Sequence, residues 1–462
     1  NEMYGYGMAS TTGKLTNNGT ITLTNGGYGI KGDSGEAFNQ AGATITVTGT
    51  PTLESSFGMS METGTAKNFG TIDITGSTTD DATYGIYVNG GNGINHNLIQ
   101  MRSNNAFGLF DAGSGTITNF AGAVINLYGN NSVGMQTSGT KAENFGTINI
   151  GVQDGGAVTG GNNGTGMVAK NSSTALNSGH INMNGNNAVG MFADGGTVVN
   201  AIDGVITLNG TNGTIFKTSN GGTAINQGNI EINAEDYELF SSTDTNGGNF
   251  INNGNVNVDA SGSKIIVAGD GSNITNGGVI DLSGNNGYII YTSDSGNATN
   301  NGTLNIAAGS DNSTAIYMDE TATGSVINAQ SGIINVNGTN SNGMVLASND
   351  NSVSITNKGK INVSGSGSKG IVSTKGGTVN NEGTIAMTGG SAGIDATGGT
   401  VNNKAGASIT TSAASNANGI NVTSGTTSGA EAATVINDGT ITINGNGDGI
   451  NSKISSSSPA GT

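Results

Sequence analysis

The polar and apolar positions of this chain recur in one short phrase. Lys67–Ile74 reads KNFGTIDI, Glu143–Ile150 reads ENFGTINI and Val379–Met387 reads VNNEGTIAM. Each copy is an Asn, a spacer that usually holds Gly, then Ile-x-aliphatic. Two apolar side chains two residues apart share one face of an extended chain, so the phrase predicts a half-buried strand. The anchoring asparagines are Asn17, Asn39, Asn68, Asn95, Asn119, Asn144, Asn177, Asn200, Asn226, Asn252, Asn276, Asn300, Asn328, Asn357, Asn380, Asn402 and Asn437. That makes 17 copies at intervals of 22 to 35 residues, about 26 on average. The first apolar residue is Ile in 15 copies, with Val256 and Leu304 the exceptions, and only Thr411 breaks the second. A Gly followed by Met, Ile or Leu comes after many copies, as in Gly58-Met59, Gly134-Met135 and Gly370-Ile371. A third short run precedes the Asn, as in 197–200. Three short strands per repeat, joined by Gly, Asn and Ser turns, predict one coil of an all-β, right-handed parallel β-helix.

One coil cannot bury its own inward Ile. Stacking coils at about 4.8 Å pairs each strand with the coils above and below, and 17 coils predict a rod about 80 Å long. Each buried aliphatic contributes roughly 1.5–3 kcal/mol. The Asn column suits this plan in two ways: Asn tolerates the left-handed backbone of a sharp corner, and its amide both donates and accepts, so stacked copies can bond coil to coil. An exposed turn Asn without a ladder is the alternative. Asp and Ser suit turns equally and replace Asn at none of the 17 places, which favours the ladder. Asn95-His-Asn97-Leu98-Ile99 lacks the spacer Gly and predicts a distorted corner.

Composition narrows the class. Of 462 residues 83 are Gly and only 2 are Pro, which excludes collagen. The regular aliphatics exclude simple disorder. There is no Cys, so disulfides do not hold the fold. No apolar run is long enough to span a membrane as a helix. The chain starts in mid-pattern without a signal peptide, as a segment cut from a longer protein would. Residues 1–452 read as a single continuous β-helix and 453–462 as an irregular tail.

The phrase Asn-x-Gly-Thr-Ile-x-aliphatic, with the Gly190-Met191-Phe192-Ala193 strand, resembles the passenger rods of large fusobacterial autotransporter adhesins. That resemblance implies type V secretion, a place on the bacterial cell surface and outer membrane, and attachment to host cells or other bacteria through a protein or glycan receptor. It also implies membrane contact only through a C-terminal β-barrel outside this sequence.

A carbohydrate-cleaving β-helix enzyme is the rival reading, and a pure spacer is another. The enzyme needs clustered acids and a base. The chain has one Arg, Arg102, and two His, His96 and His180, about three coils apart, too far to share a metal. The doublets Asp80-Asp81 and Glu235-Asp236 fall in inserts. Gly389–Gly393 matches a nucleophile elbow and Gly365–Gly370 a dinucleotide loop, both without their structural context. No catalytic residue, metal or cofactor is expected.

Net charge is −17, which disfavours nucleic acid. Residues 231–320 hold twelve acids and one base, Lys264, whereas Lys358, Lys360, Lys369, Lys375 and Lys404 cluster further on. The acidic belt reads as a solvated surface, or as a site for a cationic partner or weakly held Ca²⁺. Loops on a rigid scaffold carry recognition, so the inserts 48–56, 76–83, 151–165, 234–246 and 424–434 are candidate sites. The foremost is Glu235, Asp236, Tyr237, Glu238 and Phe240, where acids flank two aromatic rings.

Overall fold

The computed structural model describes residues 5–49, 55–75, 82–154, 157–234, 236–242, 247–259, 261–412, 416–424 and 433–454. Glu235, the Asp80-Asp81 doublet, the central parts of inserts 48–56, 76–83 and 424–434, residues 243–246 and most of the tail 453–462 lie outside them. The chain divides into two compact units, residues 1–239 and 240–462.

Each unit is a parallel β-solenoid with three sheets and, among the described residues, no helix. A coil of the first unit runs Thr83–Val88, Asn92–Asn95 and Leu98–Met101, one strand per sheet. The next runs Ala106–Asp111, Thr116–Asn119 and Val124–Leu127, in parallel register with Ile86 on Leu109, Asn95 on Asn119 and Ile99 on Ile125. The second unit repeats this: Tyr288–Thr292, Asn297–Asn300 and Thr303–Ile306 stack under Thr314–Met318, Ser325–Asn328 and Ile333–Val336. Inward positions are filled by ladders of like residues. Ile45, Ile72, Ile99, Ile125, Ile148, Ile181 and Ile206 are all 0% exposed, the packing that β-branched side chains suit on a pleated surface. The first sheet instead turns Met and Ile inward behind a column of glycines. A Cβ on Gly108 would lie 2.6 Å from the carbonyl oxygen of Gly134 in the next coil and 2.6 Å from Ile125 Cγ2.

The Asn ladder is present in both units. Each side-chain Nδ2 donates to the Oδ1 of the next coil. In the first unit this runs from Asn17 through Asn39, Asn68, Asn95, Asn119, Asn144, Asn177 and Asn200 to Asn226, at 2.8–3.0 Å. In the second it runs from Asn252 through Asn276, Asn300, Asn328, Asn357, Asn381 and Asn403 to Asn437, at 2.7–2.9 Å. Two expected members are therefore corrected: Asn381 and Asn403 replace Asn380 and Asn402. Asn381 precedes Gly383 by two, as Asn68 precedes Gly70, and Asn403 precedes Ala407 by four, as Asn39 precedes Ala43. Asn380 and Asn402 face outward and bond to each other at 3.0 Å.

Backbone tolerance is not what selects Asn at this corner. No ladder Asn has a positive φ. Left-handed asparagines form a different column, Asn105, Asn131, Asn163, Asn187 and Asn212, just before first-sheet strands, and two more, Asn171 and Asn220, just after them. Amide pairing, not backbone tolerance, is what the ladder position uses. The Asn95 corner is regular: Asn95 Nδ2 reaches Asn97 O at 3.1 Å and Asn97 N reaches Asn95 Oδ1 at 3.3 Å, as Asn17 does with Gly19 at 3.2 Å in both directions.

Candidate functional site

With the interior filled, contact with other molecules falls to the outer faces and corners. The foremost sequence candidate does not present its rings outward. Tyr237 is 4% and Phe240 0% exposed, and Phe240 stacks on Phe250 at 5.1 Å. Asp236 is exposed in the left-handed region at φ 54°, and Glu238 is half-buried. Phe240 lies in register with Ile266, so it fills the slot that an aliphatic residue takes elsewhere. Of the other inserts, 151–165 contains an antiparallel hairpin, Val152–Asp154 with Ala157–Thr159, at the corner between a third-sheet and a first-sheet strand, with Val158 46% exposed.

Aromatic side chains are distributed in an unexpected way. In the first six coils the described Tyr and Phe are all at least partly exposed, while the core is aliphatic. Tyr6, Tyr28, Phe57, Tyr84 and Phe107 form one row on the outside of the first sheet, stacked at 4.5–5.4 Å between ring centres. Tyr87 and Phe110 form a second row, each edge-on to Tyr84. Burial raises the phenol pKa of Tyr84 and Tyr87. The Lys31 ammonium sits 5.0 Å from the Tyr28 ring centre. The signal was in the sequence: an aromatic residue immediately precedes the first-sheet Gly in Tyr28-Gly29, Phe57-Gly58, Tyr84-Gly85 and Phe107-Gly108.

A shorter row occupies the ladder corner. His96 lies between Phe69 at 4.5 Å and Phe120 at 4.3 Å. Burial among these rings, and then Lys67, hold its pKa below the usual value. His180 is exposed on the third sheet. Arg102 donates to Asp73 at 2.9 Å and lies over the Tyr128 ring at 4.4 Å.

In the second unit Tyr288, Tyr291 and Tyr317 cluster on the same sheet. Lys264 lies 3.5 Å from the Tyr291 ring centre, and the Tyr291 hydroxyl donates to Asp319 at 2.9 Å. Burial and then that bond raise its pKa well above the ordinary phenol range. Several acids here are individually engaged: Asp281 accepts from Asn305, Asp259 from Ser283, and Glu320 pairs with Lys375. Among the described residues no three acids or histidines are placed to hold a metal ion. Lys358, Lys369, Lys375 and Lys404 of the later lysines are likewise engaged. Lys358 and Lys404 share Glu382, and Lys369 meets Asp395; exposed pairs of this kind contribute about 0–1 kcal/mol each. Ser391, the elbow serine, donates to the carbonyl of Gly367 at 3.1 Å.

The BigA third pectate lyase-like domain family matches residues 85–239 and 285–458, more than half of the 462 residues. The chain belongs to that family. No curated protein matches it in sequence. As a BigA third pectate lyase-like domain with two β-solenoid units, it fits a β-helix passenger domain of an autotransporter-like protein and is consistent with a surface rod. Pectate lyase-like folds are enzyme-associated in some families.

Proposed function

We propose that this chain is a non-catalytic stretch of a bacterial adhesin rod, displayed at the cell surface, that attaches to host cells or other bacteria. The observation that carries this reading is the filling of the coils: inward positions hold aliphatic ladders and the Asn column, which leaves recognition to the outer faces and the corner inserts. The repeat's likeness to fusobacterial passengers supports secretion by the type V route and anchoring through a β-barrel elsewhere in the full protein. The receptor is a surface protein or glycan, met by the inserts between the third and first sheets. In the test, beads carrying the purified chain are mixed with host cells and with bacteria, alongside beads on which residues 152–160 are shortened to a turn. Capture that the shortened form loses fits the proposal. Absence of capture by both forms refutes attachment by this segment.

A polysaccharide-cleaving enzyme is the second reading, favoured by the pectate lyase-like description of the family. Incubation with acidic and neutral polysaccharides, followed by an assay for new reducing ends, separates the two. Sustained chain scission overturns the adhesin reading.

A further inference from the structure

The first sheet of residues 1–239 presents two rows outward, and its halves differ in bulk. Register carries the first row from Tyr28, Phe57 and Tyr84 through Phe107 to Val133, Thr165 and Val189. The N-terminal half is therefore raised by rings and the C-terminal half is lowered by small side chains. The second row runs in parallel from Lys31 through Phe110 to Phe192 and Lys217. From Tyr28 to Thr214 and from Lys31 to Lys217 neither row carries a carboxylate, although the chain as a whole is at −17.

We propose that this face binds a second copy of the chain in an antiparallel, two-fold pair centred on the Ala106–Asp111 strand. Rotation about the strand direction reverses the coil order and keeps each row opposite itself. Tyr84 of one copy then meets Val133 of the other, Phe57 meets Thr165, and Tyr28 meets Val189. Rings fill the space above small side chains, and Phe107 meets Phe107 on the axis. Such an isologous contact closes on itself and stops at two copies. The same rotation sets the Lys31 ammonium against the Phe192 ring, a cation–π pairing.

Size and charge support a second copy. Nine coils at about 4.8 Å, with strands about 15 Å wide, offer roughly 650 Å² per copy. The pair buries roughly 1,300 Å², within the range of about 1,200–2,000 Å² for stable interfaces. Enrichment in Tyr and Phe with depletion of charge is the composition of an interface centre. Two acidic chains also repel least where their faces lack carboxylates. Sugar stacking is disfavoured, because ring faces within the row are already covered by their neighbours at 4.5–5.4 Å.

The test is sedimentation of the full chain, with circular dichroism to confirm the fold of each variant. The wild type is expected as a concentration-dependent dimer. Tyr84→Lys and Val133→Asp are each expected to weaken it about a hundredfold or more, since each buries an unpaired charge. Their equimolar mixture is expected to recover a heterodimer, because one contact becomes a Lys–Asp pair and the other remains native. Thr147→Lys, on the outer face of the third sheet, is expected to leave the dimer unchanged. A wild type that stays monomeric overturns the proposal. So does a dimer insensitive to both first-sheet variants, equal loss with Thr147→Lys, or failure of the mixture to recover.

Discussion

Replacing Asn144 by Ala tests how much the ladder stabilises the solenoid. Asn144 is 0% exposed. It accepts from Asn119 Nδ2 at 2.8 Å and donates to Asn177 Oδ1 at 2.8 Å. Each amide pair is worth about 1 kcal/mol net, and the substitution removes both. It also takes from the buried Asn177 Oδ1 the donor it has in the native ladder, which adds about 1–2 kcal/mol. Asn119 keeps only long contacts to Ala123 O at 3.4 Å and Thr147 O at 3.5 Å, so little is recovered. The expected loss is therefore about 3–4 kcal/mol. The control is Asn149→Ala. Asn149 makes the same two kinds of bond, to Asn126 and from Asn182, both at 2.8 Å, but is half-buried on the outer face, where water replaces it. Its expected cost is below about 1 kcal/mol. Stacked coils need not melt in one step. Urea unfolding followed by circular dichroism is thus paired with native-state hydrogen exchange at the coils around Asn144. Equal losses for the two variants would refute the claim that burial makes the inner amides count.

Other perturbations probe different parts of the coil. Gly108→Ala drives a Cβ to 2.6 Å from Gly134 O and Ile125 Cγ2; a loss above about 2 kcal/mol in urea unfolding is expected, and wild-type stability would contradict the close packing. Thr83→Val runs the other way: Thr83 Oγ1 is buried without a partner among the described residues, so a neutral or stabilising effect is expected, and a loss above about 1 kcal/mol would count against it. His96 has a folded pKa below its ordinary 6.5 because of burial and Lys67. The unfolded chain therefore binds the proton more readily, and stability is expected to fall as pH drops through about 6.5 toward the folded value. In His96→Phe, which extends the Phe69–Phe120 stack, that part of the pH dependence should vanish from melts between pH 7.5 and 5.

The fold was legible because a stacked solenoid demands the same residue at the same station in coil after coil. Ile72, Ile99 and Ile125 read as one ladder from the repeat alone, and they stack in register. Station assignment failed where two neighbours both satisfied the phrase. In the doublets Asn380-Asn381 and Asn402-Asn403 only the distance to the following Gly or Ala picks the inward amide. In the 234–246 candidate, Glu238-Leu239-Phe240 takes the strand station seen in Thr214-Ile215-Phe216, so the Phe240 ring belongs to the core even though acids flank it in sequence. The aromatic rows are visible in the sequence only as aromatic-Gly pairs, because the outward neighbour of a core station carries no burial signal of its own.

The ladder bonds all point the same way: every Nδ2 donates toward the coil that follows it in sequence. Each joint therefore offers the same acceptor below and the same donor above, whichever coil contributes it. Joints of this kind are interchangeable. Excising residues 119–143 would bring Asn95 to Asn144 with the donor and acceptor it already expects, and third-sheet Ile99 to Ile148. Whole coils can thus be lost or duplicated at recombination without a new junction having to evolve. Coil number, unlike coil sequence, is a quantity the fold leaves free.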